Sequence, residues 1–186
     1  MENRLHKHWN LISAALLILG AVWIWASRAD PTTGAANRLP APQEGFPAPD
    51  FTLESLSGEQ ITLSERQGDP VLINLWASWC GPCRAEMPDI QEVYDEYKDQ
   101  GFTVLAVNAT NQDRVKDVQA FVDEYHLTFP ILLDQSGNVS DQYNLRSLPT
   151  SFFITPEGTI HKIVIGGPMQ QPTIKNNVRP FLSGVE

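Results

Sequence analysis

Trp76-Ala77-Ser78-Trp79-Cys80-Gly81-Pro82-Cys83-Arg84 holds both cysteines of the 186-residue chain, two residues apart. The apolar run Val71-Leu72-Ile73 leads into it, and Ala85, Glu86, Met87 and Ile90 open a helix-like pattern after it. The pair therefore sits where a buried strand turns into a helix, with Cys80 at the helix N-terminus. Unpaired backbone N–H groups and the helix dipole stabilise an anion there. A thiolate is such an anion, so Cys80 is expected to have a lowered pKa and a larger reactive fraction. Cys83 lies one turn further in, more shielded, and close enough to close a disulfide onto Cys80. Pro82 stiffens the turn and has no N–H to leave unsatisfied.

The wording Trp79-Cys80-Gly81-Pro82-Cys83, set between a strand and a helix, resembles the thioredoxin superfamily, over roughly residues 46 to 182. Two other uses of the cysteines suit the sequence less well. A structural disulfide would not need this wording, and so short a loop adds little chain-entropy stabilisation. A zinc site needs four ligands, and only the scattered His126 and His161 remain to join the pair. Redox chemistry at Cys80 and Cys83 is the expectation, with no metal and no cofactor beyond that redox-active disulfide.

At the N-terminus, residues 1–8 carry Arg4 and Lys7, and Trp9 to Ala26 is almost wholly apolar. That run would make roughly 27 Å of helix, enough to span a bilayer core. Trp9, Trp23 and Trp25 are placed as interfacial anchors. A cleaved signal peptide is the alternative, but bulky Trp23 and Trp25 precede Ala26 and no clean Ala-x-Ala site follows. Without a Cys near its end, the run is no lipoprotein anchor. Arg4 and Lys7 before the span, against Arg28 beside Asp30 after it, predict a cytoplasmic N-terminus (1–8), an uncleaved transmembrane anchor (9–26) and an extracytoplasmic domain (46–186). Disulfides persist outside the cytoplasm, so a dithiol there needs a supply of electrons. Residues 27–45, with Pro31, Pro40 and Pro42, read as a semi-extended linker. From residue 31 onward there are 20 Asp and Glu against 10 Lys and Arg, which argues against a nucleic-acid partner.

Along the domain, Phe46-Pro47-Ala48-Pro49-Asp50-Phe51 resembles the entry to membrane-anchored TlpA/ResA-type thioredoxin-like proteins and to peroxiredoxins. Phe51 to Leu53 and Gln60 to Leu63 alternate in polarity around Ser57-Gly58 and predict an N-terminal β-hairpin. Val71 to Trp76 predicts a central strand covered on both faces. Asn74 interrupts it where thioredoxins usually carry an Asp, and its plain role is to satisfy nearby backbone groups. Cys83, Met87, Ile90, Tyr94 and Tyr97 share one helix face, with Pro88 expected to kink the helix. Strands are predicted at 102–107, 129–133, 151–154 and 160–165, with helices at 115–125, 138–143 and 172–182. His126 reads as a surface residue or a partner of its helix's C-terminal dipole. The fold class is α/β: a thioredoxin-like central mixed sheet flanked by helices, with the N-terminal hairpin, an extra βα insertion and one preceding transmembrane helix.

The resemblance assigns roles to further residues. Glu86 matches a glutamate that borders the active site of ResA-like proteins, although read alone it is an exposed helix residue. Because Asn74 cannot titrate, Glu86 is the expected proton-handling group. Thioredoxin-like proteins place a cis proline before the strand facing the dithiol, which implies a cis bond at Leu148-Pro149. The Leu148 backbone would then pair with an extended substrate segment beside Cys80. Trp79, Gly81 and Pro82 complete the expected active-site support. The ResA-type resemblance implies a protein-disulfide reductase, acting on the haem-binding Cys pair of apocytochrome c or on other extracytoplasmic protein disulfides, and recharged by a membrane thiol transporter of the CcdA type. Two other functions, a thiol peroxidase and a copper carrier, match these residues less well. Peroxiredoxins carry a Thr three residues before the reactive Cys, where this chain has Ala77. Sco-type copper carriers space their cysteines with three residues between, and this chain has two.

Overall fold

The computed structural model describes residues 16–23 and 38–182. Of the expected span 9–26, residues 16–23 are helical, and the remainder lies outside the described residues, as does the segment 1–8. Among the described residues no helix is long and apolar enough to cross a membrane. Residues 38–182 form one compact unit.

That unit is built on a five-stranded sheet. Its strands are β3 (Val71–Trp76), β4 (Thr103–Asn108), β5 (Ile131–Leu133), β6 (Thr150–Ile154) and β7 (Ile160–Ile165), in the order β5-β4-β3-β6-β7. β4 runs parallel to β3 and to β5, whereas β6 is antiparallel to β3 and β7. The predicted hairpin is present as β1 (Thr52–Glu54) and β2 (Gln60–Thr62), a separate two-stranded sheet. The helices are α1 (Gly81–Tyr97), α2 (Val115–Tyr125), α3 (Asn138–Gln142) and α4 (Gln171–Val178). α1 runs unbroken through Pro88.

Side chains of a strand alternate between the two faces of a sheet, and β3 shows why its run is apolar throughout. Leu72 and Trp76 face a core shared with Met87, Ile90 and Val93 of α1, Phe121 of α2 and Ile174 of α4. Val71, Ile73 and Leu75 face a second core with Phe51, Ile61, Val139 and Tyr143. Each such fully buried side chain contributes roughly 1.5–3 kcal/mol. Asn74 lies on the same face as Leu72 and Trp76, so the one polar position of β3 points at α1.

Residues 38–45, expected as the end of the linker, lie on the domain instead. The Gly45 N–H donates to Ile160 O (2.8 Å), Arg38 Nη1 to Gly45 O (3.1 Å), and the Ile163 N–H to the Glu44 carboxylate (3.0 Å). Glu44 also meets Lys162 at 3.0 Å. The segment thereby covers part of the open edge of β7, an edge that would otherwise present unpaired backbone groups. His126 is exposed, in keeping with its reading as a surface residue, and stands at the C-cap of α2 in the left-handed conformation (φ 52°).

Candidate active site

α1 begins at the dithiol. Cys80 is its N-cap residue, and the Cys80 Sγ accepts a hydrogen bond from the Cys83 N–H at 3.2 Å. Gly81 and Pro82 form the exposed first turn, where a missing N–H costs nothing. Cys80 and Cys83 are joined in a disulfide, with S–S 2.10 Å. Cys83 is fully buried and Cys80 retains 5 % exposure, which makes Cys80 the outer sulfur. Trp79, by contrast, is 59 % exposed.

Pro149 lies in the connection just before β6. The Leu148–Pro149 bond is cis, as the resemblance implied, and the Pro149 carbonyl accepts from the Gly166 N–H at 2.8 Å. A groove of about 520 Å³ opens beside the outer cysteine. Trp79 to Pro82 form one wall, Leu145 to Leu148 the other, and Asn111, Gln112, Ser140 and Asp141 close it. Of the expected support residues, Trp79, Gly81, Pro82 and the half-buried Leu148 line this groove, whereas Pro149 is buried and outside its lining.

Glu86 departs from its plain reading as an exposed helix residue, for it is fully buried. One turn beyond Cys83, it points inward at Asn74, which donates from Nδ2 to Glu86 Oε1 at 2.8 Å. The Met169 N–H donates to the other oxygen, Oε2, at 2.9 Å. Burial pushes the Glu86 carboxyl up to about 7, against the two hydrogen bonds, which pull it down. Asn74 likewise differs from expectation: its amide serves side chains, Glu86 and Ser151 Oγ (2.9 Å), rather than backbone. Ser151 is its register partner on β6, so the two share a sheet face. Gly167 closes the cage. A Cβ there would stand 2.7 Å from Glu86 Oε2 and 2.7 Å from Pro149 Cγ.

A second polar cluster was not found from the sequence. Asp113, in the connection from β4 to α2, accepts from the Ser78 N–H (2.6 Å) and Ser78 Oγ (2.7 Å) in the dithiol segment. It also accepts from Asn108 Nδ2 (2.9 Å) and the Arg114 N–H (2.8 Å). Beside it, Trp79 Nε1 donates to Gln112 O at 3.0 Å. The available signal was an Asp just before a helix, where a capping role is the ordinary reading. Among the described residues no cluster of three or more His, Cys, Asp or Glu side chains is placed to share a metal ion.

A chain so arranged can exchange disulfides: an outer sulfur at a helix N-terminus, an inner sulfur to resolve, and a buried carboxyl able to hold a proton near neutral pH. Known proteins agree. Thioredoxin-like protein YneN of Bacillus subtilis (strain 168) is 46% identical over 125 residues, which cover 67% of this chain and 72% of that protein. Thiol-disulfide oxidoreductase ResA of Halalkalibacterium halodurans is 45% identical over 127 residues, 68% of this chain and 71% of that one. The crystal structure of StoA from Bacillus subtilis matches with a TM-score of 0.61 at 33% identity, covering 69% of this chain and 96% of that one. The model of the AhpC/TSA family matches residues 45–163. On that match and these relatives, the chain belongs to the AhpC/TSA family, and within it to the thiol–disulfide oxidoreductases of thioredoxin-like fold.

Proposed function

We propose that this oxidoreductase works as a protein-disulfide reductase outside the cytoplasm, tethered by an uncleaved helix at residues 9–26, with residues 1–8 on the cytoplasmic side. The observation that carries the thiol–disulfide exchange is the asymmetry of the dithiol, with Cys80 outermost at the helix N-terminus and Cys83 fully buried behind it. In the reduced chain, the Cys80 thiolate attacks one sulfur of a substrate disulfide and releases the other as a thiolate. A mixed disulfide forms. Cys83 then loses its proton and attacks Cys80 Sγ, and the substrate leaves with both electrons as a dithiol. Glu86 accepts the Cys83 proton, a role that Asn74 cannot fill. The groove between Trp79 and Leu148 takes an extended segment of the substrate beside Cys80.

Gly81-Pro82 matches the reducing thioredoxins and supports the donor direction. The resemblance to ResA-type proteins extends the proposal to a substrate, the cysteine pair of apocytochrome c, and to an electron source, a membrane thiol transporter of the CcdA type. The tether rests on the apolar run and its flanking charges.

The test is trapping. Cys83→Ser leaves the first attack intact and removes the second, so the full chain in intact cells should accumulate mixed disulfides through Cys80, resolvable by mass spectrometry. The reduction potential of the parent domain should be low enough to donate to those partners. Adducts through Cys83 in a Cys80→Ser chain, with none through Cys80, would reverse the assignment.

A further inference from the structure

The chain from the end of β3 to Cys80, irregular after Trp76, is held at three points by the connection that follows β4. The Ala109 N–H donates to Trp76 O (2.9 Å), Asp113 accepts twice from Ser78, and Trp79 donates its indole N–H to Gln112 O. Both sides of this junction also line the groove beside Cys80: Trp79 on one, Asn111 and Gln112 on the other. Trp79 is exposed, so core packing alone does not fix the angle of its ring.

We infer that Asp113 is a substrate-positioning residue: by clamping Ser78 to the β4–α2 connection it sets the orientation of Trp79 and so the wall of the groove that receives a protein disulfide. The inference rests on the reductase reading and adds to it a residue 33 positions beyond Cys80.

The clamp requires a carboxylate. All four groups that meet Asp113 are donors: the Ser78 N–H and hydroxyl, the Asn108 amide and the Arg114 N–H. They are shared two to each oxygen, with Ser78 N and Asn108 Nδ2 on Oδ2, and Ser78 Oγ and Arg114 N on Oδ1. An ionised carboxylate is acceptor-only, which suits this arrangement. An asparagine of the same shape must turn its NH2 toward one of the two backbone N–H groups, whichever way it sits. Burial raises the Asp113 carboxyl, but the hydrogen bonds from Asn108, Ser78 and Arg114 outweigh it and hold the group below its ordinary value. It therefore stays charged wherever the dithiol works. Asp113 touches no reacting sulfur, so its effect must appear through what the groove binds.

The experiment compares two disulfides of different size, insulin and oxidised glutathione, each mixed with the reduced full chain in detergent. A small disulfide reaches Cys80 with little help from the groove wall, whereas a protein disulfide needs the wall in place. Asp113→Asn should slow insulin reduction about tenfold and glutathione reduction no more than about twofold, since orientation errors of an ångström carry effects of this order or larger. Ser78→Ala keeps the backbone N–H bond and removes the hydroxyl one, and should show the same split at roughly threefold, by the cost of one hydrogen bond. If Asp113→Asn does not fold, the Ser78→Ala split decides alone. Equal slowing of both probes, or of neither, overturns the inference while leaving the reductase reading untouched. A parent chain that reduces neither probe overturns both.

Discussion

Glu86 and Asp113 are both carboxylates packed against the dithiol segment, yet burial and hydrogen bonding send them in opposite directions. Glu86 is fully buried and accepts two hydrogen bonds, from Asn74 and Met169, and its carboxyl is pushed up to about 7. Asp113 is half-buried and accepts four, and its carboxyl is held below the ordinary value. Desolvation acts on both in the same sense but harder on the fully buried Glu86, so the difference lies in depth of burial together with how many donors oppose it. Two are too few at the core. Four suffice at the edge. One site is left able to exchange a proton at working pH, and the other is a fixed charge that ties loops together.

The largest effect that follows is on stability. Between an ordinary carboxyl value of 4.5 and about 7, the folded chain keeps a proton on Glu86 that the unfolded chain has released. More protons are bound in the native state, so stability falls as pH rises through this window and levels off above it. The contribution is fully present below pH 4.5 and lost above 7, amounting to about 3 kcal/mol for a shift of this size. Denaturant melts of the oxidised domain from pH 4.5 to 8 should show that decline, and Glu86→Gln should flatten it. A parent profile as flat as that of the variant would mean the two carboxylates are alike after all. Asp113 acts the other way, its contribution being lost only as pH falls below the ordinary carboxylate range.

Packing around Glu86 gives the next test. Gly167→Ala puts a methyl 2.7 Å from both Glu86 Oε2 and Pro149 Cγ, so the cage must open. Overpacking of this kind typically costs about 2 kcal/mol, and it should loosen the Met169 hydrogen bond that steadies the carboxylate. Gly81→Ala is the matched control on the exposed side, because a Cβ there meets nothing within 4 Å. Urea midpoints should fall for the first and hold for the second. Equal midpoints would show that the buried cage tolerates what the surface does.

The contrast also marks how far the sequence was legible. The dithiol, its strand and its helix could be read because each is written in consecutive residues: an apolar run, two cysteines and a 3.6-residue period. Glu86 could be placed one turn from Cys83 for the same reason. Its burial could not, since that depends on Asn74 facing α1, on the Ser151 register across β3 and β6, and on the backbone of Met169, 83 residues away. Asp113 was missed because its partner Ser78 is 35 residues off in another connection, brought near only by the parallel pairing of β3 and β4. Residues 38–45 were read as linker from their prolines, which mark extended chain but do not say whether it stands free or lies along a strand edge.

The smallest effect is kinetic and separates the two roles of Glu86, in the fold and in the chemistry. Resolution of the mixed disulfide requires the buried Cys83 to release a proton where desolvation disfavours the thiolate. A carboxylate titrating near 7 can take that proton; an amide cannot. Glu86→Gln should preserve the surroundings. If its oxygen faces the Met169 N–H, its NH2 faces Asn74, whose buried Oδ1 has no partner among the described residues and can turn to accept. Ser151 Oγ can then donate where it now accepts. The fold survives, and the proton acceptor is gone. Disulfide exchange should slow roughly tenfold, at the lower edge of what general acid–base catalysis contributes. The loss should fall on release of the second substrate thiol rather than on formation of the mixed disulfide, which stopped-flow traces of the two phases would separate. Slowing of the first phase alone would assign Glu86 to the ionisation of Cys80. A variant that matched the parent in both phases would leave Glu86 a buried structural acid, no closer to the chemistry than Asp113.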